Sequence, residues 1–255
     1  MIDVQELSKT FKLSRRQQRE LGKEKSAKTI TALDRVSFQC QPGRVFTLLG
    51  PNGAGKTTAL RIMATLMKPT AGTVKVNGHD VGKNPREVRH SMGSLTGSTG
   101  LYARLTPLEM LKYYADLYRL PPEKFRSRRD DLVARLDIGS FAEQRIGKLS
   151  TGQKQRVSIA RTVIHDPDVV VFDEPTSGLD VISARNIVQL IKDCRQQGKT
   201  VIFSTHIMGE VSLLADDLAI IHKGRLLFND TFKAFRKRME SRSLEDEFIR
   251  IVEEA

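Results

Sequence analysis

The sequence predicts an α/β fold built on a mainly parallel sheet with helices on both faces. Three observations predict it. The apolar runs VFTLLG at 45–50, VVVFDE at 169–174 and VIFST at 201–205 have the length and uniform apolarity of strands buried on both sides. Each leads on to a segment with helical spacing of apolar residues, so strands and helices alternate. A glycine-rich stretch lies between the first run and its helix. That is where such sheets bind ligands, at the carboxyl ends of their strands.

The elements follow in order. Short strands are expected around Ile2–Leu7, Ala32–Cys40 and Thr73–Asn77, forming an antiparallel β subdomain. The polar insert 12–28 is a long hairpin loop between the first two. From about Lys56, Leu60, Met63 and Met67 fall at helical spacing. Residues 106–140 are helix-rich, with Pro107 in a first turn behind a Thr106 cap and Pro121–Pro122 as a break. This region, about 98–152, is expected as an α-helical subdomain inserted into the sheet domain. The alternation then resumes with a helix from about Gln153 to His165, ending before Pro167. A helix near 184–197 places Ile187, Val188, Ile191 and Cys194 on one face, and another spans 207–215. LAIIHKGRLLF at 218–228 is a hairpin turning at Lys223–Gly224. One domain is expected over 1–230, with a charged helical appendage at 231–255.

A chain of 255 residues suits one large α/β domain or two small ones. With 39% hydrophobic and 28% charged residues, a core of normal size is possible. No apolar run approaches the roughly 18 residues of a membrane span, and MIDVQELSKTF lacks the pattern of a signal peptide. The expectation is a cytoplasmic chain, peripheral on the inner face of the cell membrane if it works there, with a partner supplying the span. Cys40 and Cys194 have no CxxC or metal-ligand spacing and read as reduced, apolar-packed thiols. No internal repeat is present. The net charge of +12 suits phosphates, nucleic acid or an anionic membrane surface. It gathers in 12–28 and in Arg236–Arg238, each either a solvated surface or a face apposed to acidic lipid.

GPNGAGKTT at 50–58 satisfies GxxxxGK[ST] between a strand and a helix, the context that gives this motif meaning. Gly50, Pro51, Asn52, Gly53, Ala54 and Gly55 form a loop whose N–H groups can curl around phosphate oxygens. The helix start adds positive potential. Lys56 is expected on the β- and γ-phosphates of ATP, Thr57 on Mg²⁺ and Thr58 on the α-phosphate. VVVFDEP ends a strand in two acids. Asp173 is placed to face the Mg²⁺ shell. Glu174 points elsewhere from the strand end and can polarise a water for in-line attack.

LSTGQKQR at 149–156 resembles the LSGGQ signature of the ABC ATPase family, with Thr151 in place of the first glycine. Ser150, Gly152 and Gln153 open a helix, so hydroxyl and N–H donors can face an anion. The resemblance implies that this anion is the γ-phosphate of ATP held by an opposite subunit, with two ATPs sandwiched in a head-to-tail dimer. SGLD at 177–180 resembles the D-loop, which implies that Asp180 crosses that interface. STH at 204–206 resembles the H-loop, which implies that His206 contacts the γ-phosphate and steadies Glu174. Phe11 is placed as the aromatic that stacks on adenine, or it packs in the antiparallel sheet. The family usually carries a glutamine after the strand near 92–96; here Gly97 occupies that position, with Ser98 or Thr99 as substitutes. TGSTGLY at 96–102 resembles the NatA-type ATPases of sodium- and drug-efflux exporters.

The resemblance implies a P-loop NTPase fold of the RecA-like kind. It also implies an ATP-binding and hydrolysing subunit that powers export, possibly of Na⁺ or a drug, through a separate membrane permease. The competing expectation is a non-transport ABC ATPase acting on the ribosome or nucleic acid, suggested by the +12 charge. Those relatives usually have two ATPase domains or a long coiled-coil insertion, and this sequence shows neither, so no nucleic acid is expected as a partner. A pure nucleotide-binding regulator is disfavoured by intact Asp173, Glu174 and His206.

Overall fold

A computed structural model describes residues 1–14, 28–97 and 100–254. Most of the 12–28 insert, and Ser98 and Thr99, lie outside them.

Two sheets and their covering helices make the fold. The antiparallel sheet contains β1 (Ile2–Lys12), β2 (Thr29–Cys40), β4 (Ala71–Val76) and β5 (His79–Asp80), ordered β2-β1-β4-β5. β1 and β2 are the arms of the expected hairpin, paired from Ile2–Cys40 to Lys12–Thr29. The larger sheet runs β10-β9-β3-β8-β7-β6: β3 (Val45–Leu49), β6 (Met92–Leu95), β7 (Val169–Asp173), β8 (Thr200–Thr205), β9 (Asp217–His222) and β10 (Arg225–Thr231). The five strands from β9 to β6 are parallel, and β10 folds back antiparallel on β9 through Lys223–Gly224, both left-handed.

The unbroken apolar runs are explained by burial on both faces. Side chains alternate across a strand. In β7, Val169 and Val171 join the core shared with the antiparallel sheet, while Val170 and Phe172 enter the core under the helices. β8 repeats this, with Ile202 on one side and Val201 and Phe203 on the other.

The helices are α1 (Lys56–Met63), α2 (Pro85–Ser91), α3 (Pro107–Leu117), α4 (Pro122–Arg135), α5 (Thr151–Val163), α6 (Val181–Gln196), α7 (Met208–Leu214), α8 (Phe232–Arg238) and α9 (Leu244–Glu253). Thr106 caps α3 in a complete capping box with Glu109, so Pro107 sits in the first turn, where its missing N–H has no consequence. α5 starts at Thr151 rather than Gln153, because Ser150 is the cap and Gln153 its reciprocal partner. In α6, Ile187, Leu190, Ile191 and Cys194 are buried, and Val188 is only partly so. α2 has no counterpart in the sequence reading; Val88 is its buried residue.

The residues after 230 pack on the larger sheet. Phe232 and Phe235 of α8 join Leu49, Val211, Leu218 and Ile220 in a third core, and Leu244, Phe248 and Ile251 of α9 lie against it. Glu247 fixes the α8–α9 link. Arg250 donates to it, as do the backbone N–H groups of Glu240 and Ser241, and these bonds hold its carboxyl down at about 2.

Candidate nucleotide site

Strand register brings three loops to one edge of the sheet. Leu49 of β3 lies opposite Thr205 of β8, and Ser204 of β8 lies opposite Asp173 of β7. The residues that follow, Gly50, His206 and Glu174, therefore leave the sheet side by side at its carboxyl edge.

The loop 50–55 turns tightly into α1. Ala54 N–H donates to the Pro51 carbonyl at 3.2 Å, Gly50 is buried, and Asn52 and Gly53 are exposed. Gly55 has φ +112°, and a Cβ there would lie 2.5 Å from the Ala32 carbonyl oxygen, so only glycine fits. No side chain caps α1 and no acid stands in its first turn. The N–H groups of Lys56, Thr57 and Thr58 therefore face outward without an intrahelical acceptor, at the positive end of the helix. Such an end suits a phosphate.

Lys56 has a 4% exposed side chain. Its ammonium donates to the Gly50 carbonyl at 2.6 Å and the Pro51 carbonyl at 3.1 Å, and lies 3.3 Å from Glu174 Oε1. The same Glu174 oxygen lies 3.2 Å from His206 Nδ1. The Ser204 hydroxyl donates to Asp173 Oδ1 at 2.6 Å and accepts the Glu174 N–H at 3.1 Å. Glu174 itself has φ +47°, an uncommon conformation for a non-glycine residue. Lys56, Asp173, Glu174 and His206 thus form one hydrogen-bonded group, with the hydroxyls of Thr57 and Thr58 in the adjoining turn.

The other candidates are not bonded to this group. Ser150 Oγ accepts the Gln153 N–H at 3.2 Å and Gln153 Oε1 accepts the Ser150 N–H at 2.8 Å, so both are committed to the cap of α5. A Cβ on Gly152 would lie 3.3 Å from Leu179, in the loop that leads to Asp180. Asp180 caps α6, accepting from the Ser183 N–H at 2.9 Å and the Ser183 hydroxyl at 2.7 Å, and these bonds lower its pKa. Among the described residues, no hydrogen bond or ion pair links Ser150, Gly152, Gln153 or Asp180 to the Lys56 group. Phe11 pairs with Ile30 in the antiparallel sheet, with the Lys9 ammonium 5.2 Å from its ring centre. Gly97 has φ +69°, and a Cβ there would meet Arg61 Nη2 at 3.0 Å; a glutamine would be strained in this backbone.

Sequence reasoning missed two parts of the site. One is Ser204, within the STH motif. The other is Glu210, which accepts hydrogen bonds from Thr205 and Thr176. The apolar β8 run hid the first, and the second depends on contact between distant segments.

Residues 33–177 match the family model described as "ABC transporter". The ABC transporter ATP-binding protein NatA of Bacillus subtilis is 40% identical over 85% of this chain and 89% of its own length. The bacitracin transport ATP-binding protein BcrA of Bacillus licheniformis is 34% identical over 81% of this chain and 67% of its own. Among solved structures, a dimeric ATP-binding cassette in a post-hydrolysis state, bound to ADP and Pi, superposes with a TM-score of 0.78 at 27% identity, covering 91% of this chain and 98% of that one. An ATP-binding subunit of an ABC transporter shares the fold with a TM-score of 0.85 over 98% of this chain and 99% of that one. The parallel sheet, the glycine loop and the carboxylates at its edge are therefore a P-loop NTPase fold, and this chain belongs to the ABC transporter family, as one of its ATP-binding, ATP-hydrolysing subunits.

Proposed function

We propose that this chain is the ATP-driven motor of an exporter: it binds ATP with Mg²⁺ at the 50–58 loop, pairs head to tail with a second ATPase subunit, and drives a separate membrane permease from the cytoplasmic face. The contact of Lys56 and His206 with one oxygen of Glu174, at the uncapped start of α1, carries this reading. A cation, a base and a helix terminus brought together in this way suit a terminal phosphate and its attacking water.

The residues present fit both groups. The outward N–H groups of Lys56, Thr57 and Thr58 suit phosphate oxygens. The Thr57 hydroxyl and the Asp173 carboxylate are the hard oxygen ligands that Mg²⁺ takes. Held by Thr57 and Asp173, Mg²⁺ would supply positive charge against that of the phosphates. Lys56 exchanges its carbonyl partners and Glu174 for phosphate oxygens. Glu174, released from the ammonium, takes a proton from water, and His206 holds it in place. Ser204 fixes the direction of Asp173 by the 2.6 Å hydrogen bond.

Pairing completes the site, because within one chain, among the described residues, no hydrogen bond or ion pair joins Ser150, Gly152 or Gln153 to the Lys56 group. In the pair they cap the γ-phosphate held by the other subunit, with Asp180 at the interface. The cassette relative bound to ADP and Pi is dimeric, which supports this. The names of relatives, "Bacitracin transport", "Nod factor export" and "Daunorubicin resistance", support export, and Na⁺ or a drug is the cargo that the NatA-type stretch favours. No described helix is long and apolar enough to cross a membrane, so in this reading a permease supplies the span.

Glu174→Gln tests the proposal. The variant is expected to retain ATP and lose phosphate release, by two orders of magnitude or more in keeping with the roughly 10²–10⁴-fold contribution of a general base. Near-native turnover would remove Glu174 as the base.

A further inference from the structure

A buried carboxylate ties together the two strand ends that carry the candidate catalytic pair. Glu210 stands in the first turn of α7 and is 8% exposed. Its Oε2 accepts the Thr205 hydroxyl at 2.6 Å and its Oε1 accepts the Thr176 hydroxyl. Thr205 ends β8 and directly precedes His206. Thr176 follows Glu174 by two residues, in a turn where the Ser177 N–H donates to the Glu174 carbonyl at 3.2 Å and the Leu179 N–H to the Thr176 carbonyl at 3.2 Å. The Thr205 hydroxyl also accepts the Ile207 N–H at 3.0 Å, so it holds both sides of His206.

Among the described residues, Glu210 has no ion-pair partner, and its carboxylate accepts from two neutral hydroxyls. Burying a carboxylate is costly unless hydrogen bonds or a cation compensate. An apolar residue would pack α7 onto the sheet without that cost. The acid does what an apolar residue cannot: it links two hydroxyls on separate segments with directed bonds.

We propose that Glu210 is a positioning residue for ATP hydrolysis, clamping the loop after β7 to the end of β8 so that Glu174 and His206 keep the 3.2 Å contact. It acts through Thr176 and Thr205 and touches no reacting atom. The proposal rests on Glu174 and His206 being the pair that prepares the water. A shift of about 1 Å in such a pair lowers turnover by up to about a hundredfold while nucleotide binding, which uses the 50–58 loop, is retained.

The test measures steady-state ATP hydrolysis by the full chain, with folding and nucleotide stoichiometry followed in parallel. Glu210→Ala is expected to lower kcat about tenfold or more with KM for ATP within about twofold. Glu210→Gln, which can accept from one hydroxyl and donate to the other, is expected to recover most of the loss. Thr176→Val, nearly isosteric and leaving β8 untouched, is expected to lower kcat about threefold and to add nothing in the Glu210→Ala background, since the two changes break one link. Native kcat per nucleotide-binding molecule in Thr176→Val and Glu210→Ala would overturn the clamp, as would a loss that follows the folded fraction alone. Should Glu210→Ala fail to fold, Thr176→Val and Glu210→Gln decide: native kcat in the first, or a tenfold loss in the second with normal nucleotide binding, counts against it. Glu174→Gln, run alongside, separates the two claims. If it is inactive while the clamp variants are native, only the clamp fails; if it turns over normally, the catalytic pair fails first.

Discussion

A lysine held at 4% exposure must find acceptors, and Lys56 finds two carbonyl oxygens and the Glu174 carboxylate. Each is weaker as a partner for an ammonium than a triphosphate, so the side chain is poised and its charge is already compensated. Lys56→Ala is expected to weaken ATP binding by roughly tenfold or more, the size of a lost charge-assisted hydrogen bond, in a calorimetric titration. His165, remote from this site, makes a prediction of another kind. Burial pushes its pKa down to about 4, and Arg128, His90 and Lys199 add to the effect; its ring stacks on Tyr118 with centroids 3.7 Å apart. The unfolded chain therefore binds a proton at this position between about pH 6.5 and 4 while the folded chain does not, and stability falls as pH falls through that window. The loss is of order 3 kcal/mol. His165→Phe keeps the stack and is expected to flatten denaturant-measured stability over that range. Asp166 does not confuse the reading: burial alone would raise it, but Lys199, Arg128 and Lys124 outweigh burial and hold it at about 2, so its contribution is lost only at more acid pH.

Helix caps were legible at the scale of elements because they are local. Thr106 with Pro107 announced α3, and the structure places Glu109 as the reciprocal partner. Thr106→Ala is expected to lower stability by about 1 kcal/mol, seen as a lower midpoint in thermal melting, and to leave ATP turnover within about twofold, since α3 lies in the helical segment and not at the sheet edge. The buried strands were legible for the same reason: short, mainly apolar runs of strand length ending in GPNGAGKTT, DE or STH leave few other assignments. What a sequence hides is pairing between distant segments. Glu210 gave no signal, because its partners are 5 and 34 residues away and its burial follows only from the docking of α7. The basic run Arg236–Arg238 is exposed, as a solvated surface or a lipid-facing patch requires, but the sequence did not show that Phe232 and Phe235, three apart, send the other face of α8 into the core. The strain that Gly97 avoids was likewise visible only once its φ of +69° was known.

The whole molecule is organised around one sheet edge, and among the described residues no hydrogen bond or ion pair joins the start of α5 to it. Lys56, Asp173, Glu174 and His206 meet at the carboxyl ends of β3, β7 and β8, while Ser150 and Gly152 open α5 elsewhere. Val181 and Ile182, 86% and 75% exposed, follow Asp180 on the surface, and exposed β-branched pairs of this kind suit a face that another subunit covers. In the proposed reading the site is completed only when two copies meet, and the dimeric cassette bound to ADP and Pi supports that. The most direct measurement is a structure of Glu174→Gln with ATP and Mg²⁺. The expected result is a two-fold pair in which the Lys56 of one copy and the Ser150 and Gly152 of the other grip the same γ-phosphate. ATP held by Lys56 in a lone chain, with Ser150 and Gly152 far from every nucleotide, would contradict the account.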